Sequence, residues 1–410
     1  MPTWDDLYTS VKRPDIFPVL TGFNTNIDRV IPLTPALLSG IRKHLPSKIF
    51  LARLEQSLRY CAADEQIITD PGVYSDIAQA FTRMGSLALG GQAAISATHL
   101  RRLGYTQVNC VAPGAGPWIR AMLLDSGVTP ITFPETGDRP DKVHIIFEHN
   151  PGLVPLAQGV VPRGNRFIVS PAHPPSSILI PGKMTASFYH QIRQCKRAFL
   201  SGYQYLRSEE VILAAASQLK EIRNVNPQMR THIECVSSMG EKCATHVLEH
   251  VFPVADSIGM NEQELGLFIH AMDSAIPREP SSSPLTLVRD ALFLSRALRV
   301  PRVHVHTFGY YVLVIKPGPN TNPGSSRDAL LYASQQVALA AGGTDKGLSR
   351  EGRKAYAEIL SKYGPEDTTG IFNAGDRIVV VVPTIIAQNV KKTTGLGYII
   401  SSTAFVADPF

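Results

Sequence analysis

At 410 residues, with 44% apolar and 18% charged side chains, the chain can hold one large domain plus a smaller one and is too apolar for long disorder. Its 40 basic and 34 acidic residues leave a net charge of +6, dispersed in pairs such as Arg42-Lys43, Arg101-Arg102 and Lys391-Lys392. Without a basic run, a nucleic-acid footprint is disfavoured and a small anionic ligand is the better match. The five cysteines (Cys61, Cys110, Cys195, Cys235, Cys243) lack CxxC or other metal spacing, which points to reduced thiols. No signal-peptide pattern opens the chain, and no apolar run reaches the roughly eighteen residues of a membrane span. The expectation is a soluble cytoplasmic protein with no membrane partner.

In chain order, Phe17 to Leu20 reads as a short apolar strand, followed by Gly22-Phe23-Asn24-Thr25-Asn26-Ile27-Asp28. Two amides and a carboxylate at alternating positions past a strand end can bind several sugar hydroxyls, although Asn and Asp are equally at home in turns. Residues 61–80 carry four carboxylates, Asp64, Glu65, Asp70 and Asp76. Gly90-Gly91-Gln92 then opens a helix with Ala94, Ala97, Leu100 and Leu103 as its buried stripe and Gly104 as its stop. Glycines at a helix start let a ligand approach closely, but serve packing just as well.

Val143 to Phe147 and Phe167 to Ser170 have strand character, and the loop Pro171 to Ser177 follows. They break the α/β alternation and predict a smaller domain inserted into the main sheet. Glu209 to Arg223 and Leu285 to Leu298 carry helical spacing, whereas Pro277 to Pro284 and Pro317 to Ser326 read as surface loops. His232-Ile233-Glu234 and Gly259-Met260-Asn261-Glu262-Gln263-Glu264 place oxygen donors near strand ends. Such donors suit Mg²⁺, but Glu234 also suits an ion pair, and Asn261 with Glu264 makes a helix capping box. Val303 to Thr307 and Tyr310 to Ile315 predict a hairpin or adjacent strands, and Ile378 to Val382 a strand buried on both faces.

The last element is Thr393-Thr394-Gly395-Leu396-Gly397-Tyr398-Ile399-Ile400-Ser401-Ser402. Two closely spaced glycines entering an apolar helix make a cradle of backbone N–H groups at a positive helix end, suited to a phosphoryl group. The alternation of strands and helices predicts an α/β fold with a largely parallel sheet. Neither GxxxxGK[ST], nor GxGxxG after a strand, nor GxSxG is present.

The order of these motifs is more telling than any one of them. Asn-x-Asn-x-Asp, Gly-Gly-Gln, Asn165-Arg166-Phe167-Ile168, Ser201-Gly202-Tyr203-Gln204, His-x-Glu, Gly-Met-Asn-x-x-Glu, His-Val-His-Thr and Thr-x-Gly-x-Gly follow one another. This series resembles the archaeal ADP-dependent sugar kinases, the ADP-specific phosphofructokinase/glucokinase family of the ribokinase-like superfamily, over residues 20 to 408. The resemblance implies a three-layer α/β/α large domain (1–26, 76–140 and 185–410) and a smaller, mainly β lid (27–75 and 141–184). It implies transfer of the β-phosphoryl of ADP to a sugar, with Mg²⁺ as cofactor and AMP as product. Asn26, Asp28, Gly91 and Gln92 would hold the sugar. Glu234, Asn261 and Glu264 would organise the metal, and Gly395, Leu396 and Gly397 would supply the anion hole. His306, Thr307 and Gly309 fall near the implied nucleotide site.

Arg166 can grip a sugar 6-phosphate through its guanidinium fork, so fructose 6-phosphate is preferred to glucose. A glucose-specific site needs a carboxylate from the lid, and none of the four in 61–80 aligns firmly. After the second glycine the family has an aspartate that takes the proton from the substrate hydroxyl; here Tyr398 stands in its place. A phenol of ordinary pKa, about 10, is protonated at neutral pH, and its ring intrudes on the acceptor position. Two accounts stay open: a slow or inactive member that still binds its ligands, or an isolated change in a working kinase. A non-catalytic sugar or nucleotide sensor and an ATP-using ribokinase-like enzyme are the competing functions.

Overall fold

The computed structural model describes residues 3–44, 48–60, 64–133, 140–149, 152, 155–156, 159–160, 164–182, 184–236, 240–276, 283–319, 321–342, 346–364, 369–387 and 395–410. Its main element is a ten-stranded sheet. From one edge the strands run Ile371–Asn373, Ile378–Pro383, Tyr310–Ile315, Arg302–His306, Ser257–Met260, Arg230–Glu234, Arg197–Ser201, Val19–Phe23, Val108–Val111 and Thr129–Ile131. Those from Arg302–His306 to Thr129–Ile131 are parallel. The valine run of Ile378–Pro383 is buried as expected, yet it lies antiparallel to Tyr310–Ile315, which returns from Arg302–His306 as the expected hairpin.

Helices cover both faces because strands apolar on both sides must be shielded twice. Ala186–Gln194, Glu209–Val225, Glu241–His250, Glu262–Met272, Pro284–Ala297 and Arg350–Tyr363 enclose one apolar core. Gln92–Arg102, Pro117–Asp125, Pro323–Ala340 and Leu396–Ala407 close the other face. Pro323–Ala340 starts inside the segment expected to be a loop, with Asn322 accepting from Ser325 as its cap. The loop expected at 277–284 lies mostly outside the described residues.

A second sheet runs Asp64–Ile68, Asn165–Pro171, Val143–His149, Asn26–Pro32 and Ser86–Gly90. Its side chains alternate with the pleat. Ile31, Ile145, Phe147, Phe167 and Val169 point to a core shared with the helices Pro35–His44, Lys48–Tyr60 and Pro71–Ala80. There the Phe147 ring meets Phe50 at 5.8 Å and Phe81 at 5.0 Å. The opposite face carries Asp28, His144, Ile146, Arg166 and Ile168, which line a cavity. This is the α/β/α large domain with its smaller β-rich lid. Sheet membership, however, runs past the boundary expected at residue 75, which would cut Pro71–Ala80. Ser86–Gly90 is the lid's edge strand because it pairs antiparallel with Asn26 to Val30, a distant partner that no local pattern announces.

Candidate active site

Val19–Phe23 sits where the chain order of the large sheet reverses: later strands add on one side through Arg197–Ser201 and on the other through Val108–Val111. Ligands of open α/β sheets bind beyond the strand ends at such a switch point. Here the strand leads through Asn24 and Thr25 directly into Asn26–Pro32 of the smaller sheet. Asn26 and Asp28 are therefore not turn residues. They are alternate positions of a strand and face the same way, with the Asn26 amide donating to Asp28 Oδ1 at 2.5 Å.

Asn24 Nδ2 donates to Gln92 Oε1 at 2.7 Å, joining the strand end to the first turn of Gln92–Arg102. Gly91 makes this contact feasible. Its φ is +82°, and a Cβ there would fall 2.5 Å from the Asn24 carbonyl oxygen and 2.8 Å from Thr25 Cα. From the smaller sheet, Glu65 reaches the same space, its Oε1 accepting from Ser170 Oγ at 2.8 Å and Tyr205 OH at 3.4 Å. Burial pushes the Glu65 carboxyl up, opposed by those two hydroxyls and by the charges of Lys142 and Arg207. His144 lines the site as well, driven to about 3 by burial and then by Lys142, so it is neutral at pH 7.

Glu65, His144 and His173 bring ligand atoms within 4.8 Å of one another. Lys142 Nζ already occupies this corner, 3.1 Å from His173 Nδ1 and 3.4 Å from Asn24 Oδ1. Burial pushes that ammonium down to about 7, with Glu65 opposing. With Lys142 in place, the corner is a hydrogen-bonded cluster rather than a cation site.

The floor is the start of Leu396–Ala407. Gly395 caps it in the left-handed region at φ +78°, with no side chain satisfying the first amides. Ile399 N is the donor to Gly395 O at 3.1 Å, so the N–H groups of Leu396, Gly397 and Tyr398 precede the first intrahelical bond. Tyr398 and Gly395 line the cavity with Asn24, Asn26, Asp28, Gly91, Gln92 and Arg166. The space left is only about 50 Å³, enough for a few waters. Burial pushes the Tyr398 phenol up, Arg166 opposes, and the charges of Glu264, Glu65 and Glu234 add to the rise. A protonated phenol is what this field favours.

Behind the helix start lies a second polar group. Arg302 Nη1 donates to Ser257 Oγ at 3.0 Å, and Ser257 Oγ lies 2.7 Å from His232 Nδ1. With Arg302 donating, the serine hydroxyl gives its proton to Nδ1 and leaves His232 Nε2–H for Glu234 Oε2 at 3.2 Å. Ser401 Oγ also donates to Glu234 Oε2, and His306 Nε2 approaches Oε1 at 3.0 Å. Burial pushes Glu234 up, but the two imidazoles overcome it and hold the carboxyl at about 2. Asn261 and Glu264 form a complete capping box: Asn261 Oδ1 accepts from Gln263 N and Glu264 N at 2.9 Å, and Asn261 N donates to Glu264 Oε2 at 2.7 Å. Thr307 and Gly309 form the hairpin turn, where Thr307 Oγ1 donates to Tyr310 O at 2.7 Å and Gly309 O accepts from Thr384 N at 3.0 Å.

One cavity thus collects Asn26, Asp28, Gly91, Gln92, Arg166, Gly395 and Tyr398, whereas Glu234, Asn261, Glu264, His306, Thr307 and Gly309 do not line it. Asn24, the first amide of the alternating motif, lines the cavity too; His144 and Tyr205 were not singled out from the sequence, and Glu65 was one of four unresolved candidates. Thr393 and Thr394 lie outside the described residues.

The chain resembles known proteins along nearly its whole length. The ADP-dependent glucose/glucosamine kinase of Pyrococcus furiosus is 26% identical over 100% of this chain and 99% of its own length. The ADP-specific phosphofructokinase of Methanosarcina acetivorans is 24% identical over 95% and 92%. Among solved structures, an ADP-dependent kinase complexed with fructose-6-phosphate and ADPβS superposes with a TM-score of 0.79 at 23% identity, covering 98% of this chain and 96% of that one. No helix among the described residues is long and apolar enough to cross a membrane. Residues 18–407 match the ADP-specific phosphofructokinase/glucokinase conserved region, and the chain belongs to that family.

Proposed function

We propose that the chain binds a hexose and ADP in this cleft and is built as an ADP-dependent sugar kinase, with turnover held low by Tyr398. Asn24, Asn26, Asp28, Glu65, Gln92 and His144 offer amides, carboxylates and a neutral imidazole, the mixture of donors and acceptors that sugar hydroxyls require. The amides of Leu396, Gly397 and Tyr398 would take the phosphoryl group, which passes to a sugar hydroxyl and leaves AMP. His306, Thr307 and Gly309 are assigned to the nucleotide side, with Gly397 against His306.

Mg²⁺ fits the donor set: Glu234 is a fixed anion at neutral pH, and Glu264 stands at the next strand end. Both Glu234 oxygens already accept hydrogen bonds, so these residues suit an ion that keeps its waters. When bound, it would neutralise charge on the phosphates.

The observation that carries the substrate choice is Glu65, a lid carboxylate in the same cavity as Asn26, Asp28 and Gln92. It meets the condition set for a neutral hexose, so glucose takes precedence over fructose 6-phosphate. A phosphate dianion beside Glu65 and Asp28 would be repelled. Arg166 supports fructose 6-phosphate as the second reading. Calorimetry with ADP, glucose and fructose 6-phosphate, paired with an assay for AMP, tests both. Glucose and ADP binding with slow AMP release is expected. Tighter fructose 6-phosphate binding selects the second reading, binding without any AMP selects a sensor, and no binding of sugar or ADP overturns the proposal.

A further inference from the structure

On the outer side of the large domain, His246 and His250 stand one helical turn apart on Glu241–His250, and Glu209 opens the neighbouring helix Glu209–Val225. One ligand atom from each lies within 4.8 Å of the other two. The imidazole rings are near parallel, at 10°, with centroids 6.2 Å apart, and Glu209 Oε2 is 3.9 Å from His246 Nε2. Both ring nitrogens of His246 are buried without a hydrogen-bond partner, a state native proteins rarely leave unexplained. Glu249 adds a carboxylate 3.7 Å from His250 Nε2 and 3.8 Å from His246 Nδ1. Two nitrogens at i and i+4 with a carboxylate from a second helix are the donors that Zn²⁺ takes, and the wrong ones for Mg²⁺.

We propose that Glu209, His246 and His250 form a Zn²⁺ site that clips the two helices together, apart from the cleft and independent of phosphoryl transfer. Side-chain exposure of 57% for Glu209 and 31% for His250 gives the ion a path from solvent and leaves room for water to complete a tetrahedron. A modest shift of the rings brings the three atoms to bonding distance, and the ion satisfies a nitrogen of His246.

The test is calorimetric titration of the chelator-treated full chain with Zn²⁺ in millimolar Mg²⁺. The chain should bind one Zn²⁺ more tightly than about 10 µM, and the paired variant His246→Gln/His250→Gln should lose that equivalent. Glu209→Gln should weaken it by about 10-fold or more, through loss of one ligand. His144→Gln should keep it, separating this site from the histidines of the cleft. Zn²⁺ at 100 times its Kd should raise Tm by about 3 °C in the parent and not in the paired variant. Should the paired variant fail to fold, Glu209→Gln decides alone. Unchanged stoichiometry and affinity in the paired variant and in Glu209→Gln, or no Zn²⁺ binding by the parent, overturns the proposal.

Discussion

His306 and Glu234 meet at 3.0 Å although their strands are not neighbours, for Ser257–Met260 runs between them. Gly259 is the residue in register with Glu234 on that intervening strand. A Cβ at Gly259 would lie 2.6 Å from both His232 Nε2 and Ser401 Oγ and would also strike Glu234 Oε2. The missing side chain is the channel through which the carboxylate is reached from both sides.

Gly259→Ala should therefore act as an overpacking change at a buried ion pair. It is expected to lower unfolding free energy by about 1–3 kcal/mol, read from the urea midpoint. An unchanged midpoint would mean that Glu234 relaxes without cost.

The same pair sets a pH window. His306 is held above its ordinary 6.5, because the hydrogen bond and charge of Glu234, with Glu264 and Glu262, outweigh burial. Its stabilising share is complete below 6.5 and fades as pH rises through the raised value. Glu234, depressed from 4.5 to about 2, contributes fully above 4.5 and loses its share as pH falls towards 2. The Tm difference between parent and His306→Gln should be widest between 4.5 and 6.5 and narrow on either side. A difference that is flat across this range would exclude the charged pair.

Glu65→Gln should reduce glucose affinity by about 10-fold, the loss of one charge-assisted hydrogen bond, and leave fructose 6-phosphate unaffected or improved. Because burial raises the Glu65 carboxyl, its acceptor form is lost on the acid side, and glucose binding should weaken as pH falls through that raised value. The Gln variant should lack this slope. Calorimetry over a pH series measures both.

Tyr398→Asp should raise ADP-dependent AMP formation by at least about 10²-fold, the usual worth of a positioned base. Tyr398→Phe should leave the rate of the parent, since a phenol held protonated gives no base to lose. Equal rates for Asp and Tyr would place the block elsewhere.

Many of the residues that line this cavity were legible because they sit in local patterns. Alternation past a strand end grouped Asn24, Asn26 and Asp28, although the strand that carries the last two was not foreseen, and a glycine start marked both Gln92–Arg102 and Leu396–Ala407. Glu65 was not separable from its neighbours by pattern. In the structure Asp64 takes the other face and accepts from Arg53 Nε at 3.0 Å, Asp70 caps Pro71–Ala80, and Asp76 is exposed. Only pairing with Asn165–Pro171, which sets Glu65 beside Ile168, turns it into the cleft. His144 and Tyr205 depend likewise on sheet register and on a short turn after Gly202. The capping box shows the reverse case: the plain structural role of Asn261 and Glu264 is realised in full, and a ligand role must share those atoms.

Only Asn24 and Thr25, both buried, separate the last residue of a large-sheet strand from the first residue of the smaller sheet. So short a tether cannot slacken. Asn24 takes its position from one apolar core and Asp28 from the strand that roofs the other, so a sugar touching both gauges the angle between the sheets. Occupancy and domain angle then become a single variable, and a bound hexose should merge the melting of the two cores into one transition.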